Sequence, residues 1–386
     1  MDYFLSDEHK MIRDLARRIA EEKIVPVRAE LDEKEIFPHE ILKEMAKVDL
    51  FRVLVPPKYG GLETGVLGVC LAVEELARGC AGVATTFGVV GLGSIPLIVG
   101  GNEEQKGKYL TRVAEGNLIT AFSLTEPDAG SDVSALSTNA RKDGDHYILN
   151  GKKCFITNAP EAELYTVIAI TNKDRGTRGM SAFLLEKGTP GFSFGKKEQK
   201  MGIRSSCTAE LIFEDCKIPK ENLLGSEGQG FIIAMKTLDN SRTEIGAIAL
   251  GIAQAAVDAA AEYASQREQF GQAIINFQAV NFILADMATQ VESARSLVYS
   301  VARFMDSKPK FFSKESAMSK LFASDTAVKV TIDAVQIMGG YGYMRDYPVE
   351  KMMRDAKITQ IYEGTNQVQR LVIATNMIRE LRSKAG

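Results

Sequence analysis

Glu363 stands between Ile361-Tyr362 and Gly364-Thr365, in the stretch Arg354-Asp-Ala-Lys-Ile-Thr-Gln-Ile-Tyr-Glu-Gly-Thr365. Apolar neighbours strip water from a carboxylate, and lost hydration raises its pKa toward that of a useful general base. The same residue precedes the last helical stretch, where the helix dipole alone favours a negative charge. Four further stretches carry polar groups at turns. Ala121-Phe-Ser-Leu-Thr-Glu-Pro-Asp-Ala-Gly-Ser-Asp132 is a small polar turn leaving an apolar strand. Its N–H groups and hydroxyls suit an anionic or heteroaromatic ligand, and ordinary surface turns look alike. Lys153-Cys-Phe-Ile-Thr-Asn158 ends a strand with an aromatic, a β-branched residue and a hydroxyl. That set serves a ring-stacking wall or a plain core. Arg267-Glu-Gln-Phe-Gly271, with Phe277-Gln278 beyond it, puts an arginine at a helix end. It can grip phosphate bidentately or merely complement the dipole. Gln336-Ile-Met-Gly-Gly-Tyr-Gly342 permits close backbone approach, and equally suits a helix C-terminus.

The bulk properties narrow the chemistry. A net charge of −3 over 386 residues provides no basic field for nucleic acid or anionic lipid. The five cysteines, Cys70, Cys80, Cys154, Cys207 and Cys216, include no C-x-x-C pair, so reduced thiols in a cytosol are the simplest reading. The three histidines, His9, His39 and His146, are scattered and lie in no H-E-x-x-H pattern, so neither a metal centre nor a Ser-His-Asp triad is expected. The N-terminus lacks the basic-then-apolar order of a signal peptide. The uncharged run from Gly79 to Asn102 is long enough to span a membrane, but its seven glycines and Pro96 make a buried helix and turn the better reading.

Three segments must position these residues. Residues 1–118 read as helix after helix, with Ser6 as an N-cap and Leu15, Ile19, Ile24 and Val25 at roughly helical spacing. Residues 119–230 turn β-like. His146 to Leu149, Asn150-Gly151, then Cys154 to Thr157 read as a hairpin with a two-residue turn. Further alternating runs cover 164–171, 179–186 and 209–213 with no helix of useful length between them, which predicts an antiparallel sheet and not a Rossmann fold. Residues 231–386 return to long helices, over about 232–267, 277–306, 313–338 and 365–382.

The five stretches, in this order, resemble the acyl-CoA dehydrogenase family, and the motifs are most similar to bacterial butyryl-CoA or short-chain acyl-CoA dehydrogenases. The resemblance spans essentially the whole chain. It implies an α+β fold with an N-terminal helical domain, a middle antiparallel β domain and a C-terminal four-helix bundle. It further implies FAD as cofactor, an acyl-CoA substrate, electron-transferring flavoprotein as acceptor, and a cytoplasmic homotetramer without membrane insertion. Carried over by position, Phe122 to Ser131 line the FAD site, with Leu124 and Thr125 at the flavin and Ser131 also touching CoA. Phe155, Ile156 and Thr157 cover the ring; many members have tryptophan at the first of these, and this chain has none. Arg267, Gln278, Gln336, Gly339 and Gly340 reach a neighbouring subunit's FAD, and Thr365 and Gln367 contact FAD from the C-terminal side. Asp239 and Arg242 hold the CoA part, and Gly364 joins them in binding substrate. Glu363 matches the family base, its own N–H helping to bind the thioester oxygen.

One branch of the family keeps its base just before the arginine matching Arg242, where this chain has Ser241. Glu244 lies one helical turn on and is a rival base, although a solvent-facing salt bridge is its plainer role. The resemblance also places Gly79 to Asn102 along the acyl pocket. Its uncharged wall, with Ala81 near the position of the glutaryl-binding arginine, favours an apolar short, branched or small cyclic acyl group. The alternatives are an enoyl-CoA reductase running in reverse and an acyl-CoA oxidase.

Overall fold

The computed structural model describes residues 3–385; Met1, Asp2 and Gly386, at the ends of the two outer expected segments, lie outside it. The first part is helical: α1 (Asp7–Ile19), α2 (Arg28–Glu33), α3 (His39–Lys47), α4 (Gly65–Gly79), α5 (Ala81–Gly100) and α6 (Glu103–Ala114). Ser6 caps α1 through its hydroxyl, which accepts from the His9 N–H at 3.3 Å. A reciprocal capping box between Asn102 and Gln105 starts α6 immediately after α5. Helix α5 shows no polar face because nearly all of it is covered, by α4, β1 (Thr120–Ser123) and α7 (Gly230–Gln266). Helices α5 and α7 are long and apolar enough to cross a membrane, but 83% and 72% of their most apolar windows are buried inside the protein.

The remaining strands are β2 (Asn139–Asp143), β3 (His146–Thr157), β4 (Leu164–Ile170), β5 (Met180–Glu186), β6 (Phe192–Lys197), β7 (Thr208–Pro219) and β8 (Leu223–Leu224). They form one sheet in the order β6-β7-β3-β2-β4-β5-β8, with β1 beside β4. Most pairs are antiparallel, but β1 and β2 each run parallel to β4. Two expectations therefore need correction: the sheet is mixed, and Asn150-Gly151 is not a turn. β3 runs unbroken through that dipeptide, and the hairpin turn lies earlier, between β2 and β3. Gly151 instead marks a bulge against β7, where the register slips between Leu149 and Gly151. A side chain there would meet Thr138 Oγ1 at 2.6 Å, so glycine serves close approach of strands and not chain reversal.

After α7 come a small hairpin, β9 (Glu268–Gln269) with β10 (Gln272–Ala273), and the helices α8 (Gln278–Asp306), α9 (Ser313–Met338), α10 (Gly340–Tyr343), α11 (Val349–Ile358) and α12 (Asn366–Ala385). α9 is central, packing on α7, α8, α11 and α12. One apolar core runs through both helical parts and onto the sheet, and a second lies within the sheet around Tyr165, Phe183, Leu211 and Phe213. Helix α12 leaves Leu371, Met377, Ile378 and Leu381 exposed.

Candidate active site

Glu363 lies in the loop between α11 and α12, half-buried, with the left-handed φ of 53°, followed by Gly364 at φ 90°. A non-glycine residue in that region costs about 1–3 kcal/mol, so neighbouring contacts must hold it there. They come from α9. Buried Lys320 donates to Gly364 O at 2.9 Å and to Asn366 Oδ1 at 2.8 Å. Asn366 Nδ2 reaches Ser324 Oγ at 2.9 Å and Asp325 Oδ1 at 2.7 Å, and Gln360 Nε2 also donates to Asp325 Oδ1, at 2.7 Å. Gln369 Nε2 donates to the carbonyls of Glu363 and Gly364. Among the described residues the Glu363 N–H makes no hydrogen bond and remains available to a ligand.

Burial raises the Glu363 carboxyl above the ordinary glutamate value; the Ser241 hydroxyl, which donates to Oε2, and the charges of Lys320 and Arg242 pull it back. Burial brings Lys320 down to about 7, against the charge of Glu363. The site therefore holds a base of elevated basicity beside a soft cation. Arg242 is itself buried, donates to Asp239, and has its Nε without a partner. Asp239 also accepts from Ser313 and, at its carbonyl, from Ser316 Oγ at 2.7 Å.

The loop after β1 is stapled from below. Lys153, wholly buried, donates to Leu124 O at 2.8 Å and to Glu126 Oε1 at 2.7 Å. Glu126 also accepts from the Ser137 N–H at 2.6 Å and the Thr138 N–H at 3.1 Å. Burial alone would raise the Glu126 carboxyl, yet Lys153 and these hydrogen bonds hold it at about 2. Burial lowers Lys153 to about 8, so both members are charged at neutral pH and Lys153 is the softer one. Phe122 and Leu124 are buried beneath the loop, Thr125 is half-buried and Ser131 exposed. Beside them Phe155 is 63% exposed at φ 58°, where the β3–β7 register slips between Lys153 and Ile156. The slip turns an aromatic face outward. It also sends the Ile156 side chain into the sheet core. Thr157 is half-buried at the strand end.

Arg267, Gln278, Gln336, Gly339 and Gly340 are exposed. Arg267, Ile337, Gly340 and Met344 border a cleft of about 520 Å³. The Arg267 guanidinium lies 5.7 Å from the centre of the Tyr341 ring, and nearby Phe270 is 95% exposed. Thr365 is half-buried and Gln367 exposed at the start of α12. Glu244 contradicts its expected role. It is buried, makes no salt bridge among the described residues, and packs from α7 against Gly88 of α5. The uncharged wall of α5 thus faces an acid from the opposite helix.

Sequence reasoning missed Lys153, Glu126 and Lys320, and gave Ser241 no partner. The first had a signal, a lysine on the inward side of an alternating strand. Lys320 had another, a charge on the Ala317-Ala323-Ser324 face of a buried helix.

The chain thus has a helical, a β and a helical part, and in the last of these a loop-held carboxylate of raised pKa, the kind of group that can act as a general base. Models of the acyl-CoA dehydrogenase N-terminal, middle and C-terminal domains match residues 6–117, 121–216 and 228–378. The short-chain specific acyl-CoA dehydrogenase of Megasphaera elsdenii is 49% identical, covering 98% of this chain and 100% of that protein. The acryloyl-CoA reductase (NADH) of Anaerotignum propionicum is 46% identical over 98% of this chain and 96% of its own. Among solved structures, butyryl-CoA dehydrogenase of Megasphaera elsdenii superposes with a TM-score of 0.95 at 48% identity, covering 98% of this chain and 100% of that one. A chain solved in work on the electron transferring flavoprotein of Acidaminococcus fermentans gives 0.96 at 51% identity, with the same coverage of 98% and 100%. The chain belongs to the acyl-CoA dehydrogenase family, FAD-dependent oxidoreductases.

Proposed function

We propose that this enzyme removes hydrogen across the α,β-bond of a short acyl-CoA, with Glu363 taking the α-proton. The observation that carries the reading is the Glu363 carboxyl, raised by burial and held in a strained loop beside its own unpaired N–H. The chain's residues fit FAD. Phe155 offers an outward aromatic face, the buried Ser123 hydroxyl has no partner, and Lys153 and Glu126 fix the loop from Phe122 to Ser131 beside them. In this reading Leu124, Thr125, Phe155, the Ile156 backbone and Thr157 hold the flavin, with Thr365 and Gln367 beside it. The chemistry FAD brings when bound is two-electron oxidation, hydride leaving the β-carbon for the flavin.

The protein supplies position and electrostatics. The Glu363 N–H binds the thioester oxygen, where loss of one such donor typically costs about 2.7–4 kcal/mol. Ser131, Asp239, Arg242 and Gly364 hold the CoA-bearing end. Ser241 tunes the base: its hydrogen bond lowers the Glu363 pKa, so Ser241→Ala moves the rising limb of the kcat/KM–pH profile to higher pH. A limb left where it was would separate Ser241 from the base.

Arg267, Gln278, Gln336, Gly339 and Gly340 are assigned to the FAD of a second subunit, which the exposed apolar face of α12 also favours. A homotetramer is proposed on that ground, with domains at 1–118, 119–230 and 231–386. Arg267→Ala weakens FAD retention by roughly 10- to 100-fold, the worth of a charged hydrogen bond, measured by equilibrium dialysis. Unchanged retention would remove Arg267 from the cofactor site. Electron-transferring flavoprotein is the proposed acceptor and the cytoplasm the proposed location. The 46% identity to a reductase keeps the reverse direction as a second reading. Rates in both directions with reduced and oxidised flavoprotein decide it.

A further inference from the structure

Glu244 is only 6% exposed, yet among the described residues its carboxyl has neither a salt bridge nor a hydrogen bond. Unpaired buried acids are costly and call for an explanation. The surroundings show that room is made for it. A side chain at Gly88 of α5 would collide with its Oε1, and one at Gly91 would touch its Oε2 at 3.9 Å. Two more orphaned groups belong to the same region. The Thr85 hydroxyl, one helical turn before Gly88 and 1% exposed, makes no close hydrogen bond among the described residues, whereas neighbouring Thr86 bonds back to Gly82 O at 3.0 Å. The Tyr362 hydroxyl is buried and makes no close hydrogen bond among the described residues; burial and the charges of Glu363 and Glu244 raise its pKa, and the neighbouring Thr85 hydroxyl, placed to bond it, lowers it. Tyr362 adjoins Glu363, whose charge in turn acts on Glu244 and helps raise its carboxyl, so the acid is favoured in its neutral, hydrogen-donating form.

We propose that Glu244 is a specificity-determining residue: with the hydroxyls of Thr85 and Tyr362 it forms a polar floor between α5 and α7. That floor takes a hydroxyl or carbonyl oxygen carried by a short acyl chain beyond its β-carbon. The inference rests on the reading of Glu363 as the base that works on that chain. A site built to hydrogen-bond an oxygen rejects the isosteric methyl far more strongly than an apolar pocket rejects a hydroxyl, because the methyl leaves buried polar groups unpaired.

The test compares 5-hydroxypentanoyl-CoA with hexanoyl-CoA, which differ by hydroxyl for methyl at the chain end, in anaerobic flavin bleaching by the holoenzyme. The wild type is expected to favour the hydroxy substrate by at least tenfold in kcat/KM. Glu244→Met is expected to lower that ratio by roughly 10- to 100-fold, while Glu244→Gln, which keeps a donor, retains most of it. A wild type that prefers hexanoyl-CoA, or a ratio unmoved by Glu244→Met, overturns the proposal and leaves Glu244 a structural acid. Glu363→Gln is run in parallel: bleaching that persists there defeats the base reading, whichever way the Glu244 ratio falls.

Discussion

Glu363→Gln slows anaerobic flavin bleaching by butyryl-CoA by roughly 10⁴-fold, the upper end of what a positioned general base contributes. FAD content and affinity for an unreactive CoA ligand stay within about twofold, because binding is separable from a step made only in the transition state. The substitution is a narrow one. The amide keeps the shape of the side chain and can still accept from Ser241, and the loop contacts from Lys320 and Gln369 go to backbone carbonyls and those of the Asn366 amide to Ser324 and Asp325, not to the carboxylate. What disappears is a site for the proton. Glu244 offers no ready substitute, since burial, the larger cause of its raised pKa, still disfavours its ionisation when the Glu363 charge is gone. Wild-type bleaching in Glu363→Gln would nonetheless move the base to Glu244 or beyond.

Glu126→Ala destabilises the protein by about 3–5 kcal/mol, because it strands the wholly buried Lys153 ammonium. If the chain unfolds as one unit, the melting temperature falls by roughly 5 °C, and by more if the β part melts alone. FAD retention falls with it, since the loop from Phe122 to Ser131 loses its anchor to Ser137 and Thr138. The pH dependence carries a definite sign. Glu126 titrates at about 2 in the folded chain against an ordinary 4.5, so its contribution is full above that ordinary value and is lost as pH falls toward 2. Thermal melts across that window should steepen in the wild type and flatten in Glu126→Ala. Equal slopes would show that the pair does not anchor the fold.

The sequence carried the helix–sheet–helix order well because long helices advertise themselves. Alanine- and leucine-rich runs such as 232–267 have one physical solution, and α7 occupies nearly that range. The sheet was harder. Asn150-Gly151 has the composition of a tight turn, but the same glycine answers a clash with Thr138, a residue brought near only by the finished sheet. Glu363 was legible from its apolar neighbours and from the motif. Its supports were not, because Lys320 and Ser241 lie 43 and 122 residues away in sequence and meet the loop only through helix packing. Glu244 shows the same limit from the other side. A glutamate two residues past an arginine on a helix looks like a surface charge until α5 presents a glycine to it.

Proton abstraction by Glu363 at the α-carbon can be measured with α-deuterated butyryl-CoA in single-turnover bleaching of the anaerobic holoenzyme. The wild type is expected to bleach several-fold more slowly with the α-deuterated substrate, and Glu363→Gln negligibly with either isotopologue. An isotope-insensitive chemical step, or an undiminished rate without the Glu363 carboxylate, would contradict it.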